Sequence, residues 1–172
     1  MFQDEARFGR INEPRRCWAP PGIRPHSPCQ MIREYIYAYS AVCPHDGTMD
    51  SLILPGVDAE EISIFLEEVS NRHRDDYILM FMDCAAWHKA NSLRTPENIK
   101  LLNLPPYSPE LNPTEHIWEE IREKWFSNKV FKDLNGVEKQ LVKGLCSLEN
   151  NKRKVKSITG FDWILTINLI AN

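Results

Sequence analysis

The sequence predicts an α/β fold in which helices pack on a mixed β-sheet. Residues 34–43 alternate around aromatic and β-branched positions, which indicates a strand. Residues 77–83 form a continuous apolar run, which is typical of a strand buried on both faces. Residues 113–126 carry apolar side chains at helical spacing. Because antiparallel strands come first and strands alternate with helices afterwards, a mixed sheet is expected.

The remaining strands are predicted from short apolar or alternating segments. Residues 2–11 read as a strand that turns at Gly9, and residues 15–19 as a short second strand. Residues 44–47 form a turn, so 48–54 can return beside 34–43 as a hairpin. Residues 98–104 give a last short apolar strand.

Capping residues predict where the helices begin. Asp58 can cap a helix that runs to about residue 73, with Glu61 as its capping-box partner. Asn112, Pro113 and Glu115 suit the N-cap, N1 and N3 positions of the helix 113–126. A further helix is expected at about 133–148. The apolar tail 157–170 is ambiguous and could hide an extra strand.

Length and composition indicate one globular domain. The chain has 172 residues, of which 42% are hydrophobic and 26% charged. No apolar stretch reaches the ~18 residues of a transmembrane helix, and no signal peptide is visible. The five cysteines are odd in number and lack a CxxC pair, which favours reduced thiols and a cytoplasmic location.

The net charge of −3 means that any contact with DNA must use local basic patches. Either patch is equally well read as a solvated surface. The candidate DNA-binding residues are Arg7, Arg10, Arg15, Arg16, Lys152, Arg153 and Lys154, with Arg24 and Lys156 beside them.

Three carboxylates in plausible positions suggest a two-metal phosphoryl-transfer site. Asp83 ends the apolar run, Asp4 lies in the first strand, and Glu115 stands in the first turn of a helix. Mg²⁺ prefers oxygen ligands and keeps several waters, so about three converging carboxylates suffice for two ions. Alternatively, Asp83 caps a strand, Asp4 is an exposed acid, and Glu115 belongs only to a capping box.

Other constellations are weaker. His88 could orient a metal-bound water or contact a phosphate, or it could be a surface residue. Cys84 with His88, or Cys43 with His45, lacks the second pair that structural zinc needs. No Gly-rich phosphate loop is present, which argues against nucleotide triphosphate hydrolysis. Trp118 and Trp125 share a helical stripe and are expected in the core.

Several segments together resemble the catalytic domain of mariner-superfamily DDE transposases, in the bacterial insertion-sequence branch. The most specific is the string Leu104-Pro105-Pro106-Tyr107-Ser108-Pro109-Glu110-Leu111-Asn112-Pro113-Thr114-Glu115, followed by Trp118. The others are residues 2–9 (FQDEARFG), 16–22 (RCWAPPG) and 83–88 (DCAAWH). The resemblance covers nearly the whole chain.

The resemblance implies an RNase H-like, five-stranded mixed sheet flanked by helices. The family's catalytic and metal-binding triad falls on Asp4, Asp83 and Glu115, with His88 and Asn112 as supporting residues. It implies two Mg²⁺ or Mn²⁺ ions, and cleavage and strand transfer at transposon ends and target DNA. The expected partners are DNA and another copy of the chain or a full-length transposase, with no membrane.

The resemblance also implies a domain layout, and the chain differs from the family pattern in three respects. Residues 1–150 would form the catalytic domain and 151–172 its C-terminal tail. Cys84 stands where the family usually has asparagine. The family's N-terminal helix-turn-helix region is expected to be absent, and the first strand to be clipped just before Asp4. The alternative function is therefore an inactive transposase remnant that binds DNA or an oligomeric partner.

Overall fold

A five-stranded mixed sheet forms the centre of the computed structural model, which describes residues 1–12, 14–84 and 92–170, without the side chains of 167–170. The strands are β1 (Phe2–Ile11), β2 (Met31–Cys43), β3 (Thr48–Leu54), β4 (Ile78–Met82) and β5 (Ile99–Asn103). Their order across the sheet is β3-β2-β1-β4-β5. The predicted mixed five-stranded sheet is therefore confirmed, with β1 at its centre.

The pairing directions follow from the connections. The tight turn at residues 44–47 makes β2 and β3 antiparallel, and β1 also runs antiparallel to β2. In contrast, β4 runs parallel to both β1 and β5, and its pairing with β1 is short, at Phe2 opposite Phe81. Beyond it, the Met1 ammonium donates a 2.7 Å hydrogen bond to the Leu79 carbonyl oxygen.

In the described part of the chain, five α-helices cover the two faces of the sheet. They are α1 (Ala59–Arg72), α2 (Thr114–Ile121), α3 (Leu134–Glu149), α4 (Lys152–Thr159) and α5 (Asp162–Ile170). As the sequence predicts, the Asp58 side chain caps α1 by accepting hydrogen bonds from the amides of Glu60 and Glu61. No helix among the described residues combines the length and apolar character needed to cross a bilayer.

Each face of the sheet has its own hydrophobic core. On one face, α1 contributes Phe65 to a core that includes Tyr39 and Met80. The other face lies under α2, α3 and α4, where Phe8, Trp118 and Leu141 are buried. Side chains alternate along a strand, so Asp4, between Phe2 and Ala6, lies on this second face.

Three secondary-structure predictions need correction, and the structure resolves the ambiguous tail. Residues 15–19 are irregular and pair with no strand, because Arg15 instead donates its amide to the Asn128 side chain. The β4 strand is not buried on both faces, since Leu79 is 45% exposed. The helix predicted over 113–126 is α-helical only to Ile121, and a π-helical turn, Arg122–Phe126, follows it.

The tail contains α4 and α5 and no strand. Val155 and Ile164 pack into the core beneath α2.

Candidate active site

Adjacent strands bring Asp4 and Asp83 to the same place on the sheet. Phe2 pairs with Phe81, and their rings stack with centroids 4.9 Å apart, which shows that both face the α2 side. Asp4 follows Phe2 by two residues and therefore returns to that face, and Asp83, two residues after Phe81, is near enough for its charge to act on Asp4. Asp83 directly follows the last residue of β4 and is exposed, whereas Asp4 is mostly buried.

Helix α2 supplies the third acid, and three side-chain hydrogen bonds hold this helix against β1. Thr114 Oγ1 donates to the Phe2 carbonyl oxygen at 2.8 Å, and Asn112 Nδ2 donates to the Gln3 carbonyl oxygen at 3.0 Å. The third is a 2.8 Å hydrogen bond from Trp118 Nε1 to Asp4 Oδ2.

Asn112 substitutes for a strand partner at the point where β4 ends. On the edge of β1 that faces β4, the Met1 carbonyl oxygen accepts from the Phe81 amide at 2.9 Å. The Gln3 carbonyl, two residues on, points to the same edge and accepts from the Asn112 side chain instead. The predicted N-cap is off by one residue, because Pro113 occupies that position of α2, although Asn112 Oδ1 accepts from the Thr114 amide at 3.2 Å.

Electrostatic interactions link the three acids. Burial, the charge of Glu115 and smaller contributions from Glu5 and Asp83 raise the pKa of Asp4 to about 8, against the lowering effect of the Trp118 hydrogen bond. Burial also raises the pKa of Glu115, as do the Glu119 and Asp83 charges, while Arg122 opposes the increase. Bringing these carboxylates together without a cation is therefore costly.

The carboxylate oxygens of the three acids suit a hard divalent cation, but the acids are not gathered around one point. Within the described residues, no three His, Cys, Asp or Glu side chains lie close enough together to form a metal site. Mg²⁺ keeps several waters and needs only one or two carboxylates for each ion.

The other predicted supporting positions differ in what the structure shows. His88 lies outside the described residues. Cys84 contacts the chain just after β5 through its Sγ, 3.4 Å from the Leu104 carbonyl oxygen. The Leu104 amide in turn donates to the Met82 carbonyl oxygen at 2.8 Å. The chain around Asp83 is thus tied to β5 by two contacts.

A groove of about 530 Å³ lies farther along β1 on the side of Glu115. Among the described residues that line it, four are cationic and none is acidic: Arg7, Arg15, Arg122 and Lys129. Two of the guanidinium groups stack on aromatic rings, Arg7 at 4.3 Å from the Tyr35 centroid and Arg122 at 5.4 Å from that of Phe8. The groove is thus locally basic in a chain of negative net charge.

The groove contains only some of the predicted DNA-binding residues. Arg10 is paired with Glu34 at 2.7 Å, and Lys154 with Glu120 at 3.3 Å. Lys152 donates to Thr48 Oγ1, while Arg16 and Arg153 are exposed outside the groove lining. Sequence reasoning missed Arg122, although a position seven after Glu115 shares its helical face.

Comparison with known proteins gives the family. The family model described as DDE superfamily endonuclease matches residues 1–138. The chain belongs to this family. An uncharacterized protein of Sinorhizobium fredii, y4pE/y4sA, is 37% identical over 131 residues, which are 75% of this chain and 96% of that protein.

Solved structures of a mariner transposase show that this DDE superfamily chain has the fold of a transposase catalytic domain. The Mos1 catalytic domain superposes with a TM-score of 0.57 at 18% identity, over 97% of this chain and 80% of that one. The Mos1 paired-end complex with Mn gives 0.63 at 19% identity, covering 91% and 52%. The Mos1 complex with the left transposon end gives 0.59, also at 19%, covering 92% and 55%. The chain therefore spans about half the length of the transposase in these complexes.

Proposed function

We propose that this DDE superfamily chain cleaves DNA and transfers strands by metal-dependent, in-line phosphoryl transfer. The observation that carries the proposal is the electrostatic coupling of Asp4 to two further acids, Glu115 and Asp83, that come from two other parts of the fold. Asp4 comes from the central strand, Asp83 from the chain just after its neighbour β4, and Glu115 from the helix packed on β1. Their mutual repulsion, which contributes to the raised pKa of Asp4, indicates a site suited to a cation.

The three acids would share the work by position. Asp4, Asp83 and Glu115 would hold Mg²⁺ or Mn²⁺, and the bound charge would supply activation of the attacking oxygen and stabilisation of the leaving oxygen. Asp4, fixed on the rigid central strand, would anchor the site. Asp83, which is exposed, and Glu115, which is half-buried, would lie on the side of the site that faces the substrate. Because its pKa is raised, the Asp4 carboxyl gives up a proton when it binds a cation.

The basic groove is the proposed path of the DNA backbone toward these acids. Phe8, in its wall, follows Asp4 by four residues, or about 13 Å along a strand. That length corresponds to about four nucleotides of B-DNA at 3.4 Å each. Arg122 joins the two regions, because it lines the groove and its charge also acts on Glu115.

A nicking assay tests the proposal. Purified protein is incubated with supercoiled plasmid and Mg²⁺ or Mn²⁺, with EDTA as the blank. We expect metal-dependent nicking that Asp83→Asn, Asp4→Asn and Glu115→Gln each abolish. The matched control is Glu110→Gln, which neutralises an exposed acid five residues before Glu115 and should leave nicking unchanged. A folded wild type that binds Mn²⁺ and never nicks DNA would overturn the proposal.

The open arrangement of the acids favours one alternative, in which the domain binds DNA or a full-length transposase without cutting. Within the described residues, no three potential metal ligands are close enough to hold an ion. This alternative predicts salt-sensitive DNA binding or co-purification with an intact transposase, and no nicking under any metal condition.

A further inference from the structure

We propose that Trp118 is a positioning residue whose indole N–H fixes Asp4 through Oδ2, so that Oδ1 is the oxygen presented to a divalent cation. The inference rests on the proposed function, since it assigns Asp4 as a ligand. Its basis is geometric: a 2.8 Å hydrogen bond joins Trp118 Nε1 to Asp4 Oδ2. A tryptophan indole N–H can only donate a hydrogen bond, so Asp4 Oδ2 is the acceptor, and the bond fixes the position of that oxygen.

The indole is itself held rigidly, which a positioning group requires. The Trp118 side chain is 1% exposed, and its ring meets the edge of Phe8 with centroids 6.0 Å apart. Thr114 and Asn112, at the start of the same helix, bond to the backbone of Phe2 and Gln3. Helix α2 and Asn112 just before it therefore hydrogen-bond to three consecutive residues of β1. Two of these bonds go to backbone carbonyls, and the third goes to the Asp4 carboxylate.

The neighbour across the sheet does not supply an equivalent hydrogen bond. Ser40 pairs with Asp4 in the β1–β2 register and is fully buried on the same face. Its hydroxyl has no hydrogen-bond partner among the described residues. The orientation of the Asp4 carboxylate thus depends on the helix rather than on the adjacent strand.

The spacing on α2 gives this contact its functional meaning. Glu115 and Trp118 are three residues apart and therefore share one face of the helix. One short helix thus delivers a candidate ligand and the group that orients a second ligand. Residues that hydrogen-bond a metal ligand typically change metal affinity 10- to 100-fold when they are mutated.

The experiment compares Trp118→Phe with a matched control, Trp125→Phe. Both variants remove an indole from the same stretch of chain, but the Trp125 ring packs on Gly144. Thermal unfolding in EDTA measures the structural cost of each change. Mn²⁺ titration by calorimetry then measures affinity at a temperature where all proteins are folded. We expect affinity to fall at least about 10-fold in Trp118→Phe and to stay within twofold of wild type in Trp125→Phe.

A second readout follows the hydrogen bond without any metal. Indole N–H signals are recorded by ¹H–¹⁵N NMR, and that of Trp118 is the one missing in Trp118→Phe. It should shift in Asp4→Asn and, in the wild type, on addition of Mg²⁺. Equal Mn²⁺ affinity in wild type and Trp118→Phe, or an indole signal indifferent to Asp4→Asn, would overturn the positioning role alone. A wild type that binds no metal would instead overturn the proposed function, and the positioning role with it.

Discussion

Replacing Asp4 with asparagine tests whether the folded protein bears an energetic cost for ionising this carboxyl. Burial and the neighbouring acids raise the pKa of Asp4 from 3.8 to about 8. The folded state therefore holds a proton that the unfolded state releases at lower pH. Asparagine keeps the shape of the side chain and an oxygen that can accept from Trp118, but it carries no titratable proton.

The sign and the size follow from proton linkage. A raised pKa contributes stability that is fully present below pH 3.8 and is lost as the pH rises to about 8. Each pH unit within this window costs about 1.4 kcal/mol. From pH 5 to pH 8 the wild type should therefore lose up to about 4 kcal/mol relative to Asp4→Asn. Residual hydration of the partly buried carboxyl makes this figure a ceiling.

Urea denaturation in EDTA at several pH values between 5 and 8 measures this difference. The quantity of interest is the free energy of unfolding of wild type minus that of Asp4→Asn, because titrating groups that do not interact with Asp4 cancel in it. Glu110→Gln, which neutralises an exposed acid, should give a flat difference. Parallel pH profiles for wild type and Asp4→Asn would refute the reasoning that burial and mutual repulsion raise the pKa of Asp4.

Three further results are expected. Asn112→Ala should lower the free energy of unfolding, measured in urea, by about 1–3 kcal/mol, because it leaves the buried Gln3 carbonyl unpaired. The control Asn150→Ala removes an exposed local hydrogen bond and should cost less. Equal costs would contradict a stabilising role for the hydrogen bond between Asn112 and Gln3. Arg122→Gln should weaken duplex binding and reduce the slope of log affinity against log salt by about 1, measured by fluorescence anisotropy. Lys143→Gln, an exposed lysine outside the groove lining, is its control, and an unchanged slope in Arg122→Gln would remove Arg122 from the DNA path. Mn²⁺ affinity should rise between pH 6 and 8 as the Asp4 proton becomes easier to displace, and a flat calorimetric profile would count against Asp4 as a ligand.

Sequence patterns identified most elements because the signals were local. The alternation in 34–43 and the capping by Asp58 depend on neighbouring residues, and both elements are present. The strand predicted at 15–19 failed because strand formation needs a partner, and that segment bonds instead to Asn128. The tail was ambiguous because apolar content alone does not separate a buried strand from a helix, and packing beneath α2 decided for α4 and α5.

The candidate acids were chosen from the sequence, but the contacts that orient them were not. Asp83 ends a strand and Glu115 begins a helix, and both features are visible in one dimension. Trp118 appeared only as a core residue, since no pattern reveals that an indole three residues after Glu115 meets Asp4 across more than a hundred positions. The same holds for the groove, whose walls come from β1, β2 and the turn after α2.

The sequence by itself determined the family and most of the strands and helices, and it supplied three candidate acids, because these depend on side-chain type and short-range spacing. Only the tertiary structure decided that Asp4 is buried against Glu115 and hydrogen-bonded by Trp118, and that Arg122 lies between the acids and the basic groove. The physical reason is that burial and electrostatic coupling are properties of distance in space. They arise only when the sheet places β1 beside β4 and α2 packs on β1.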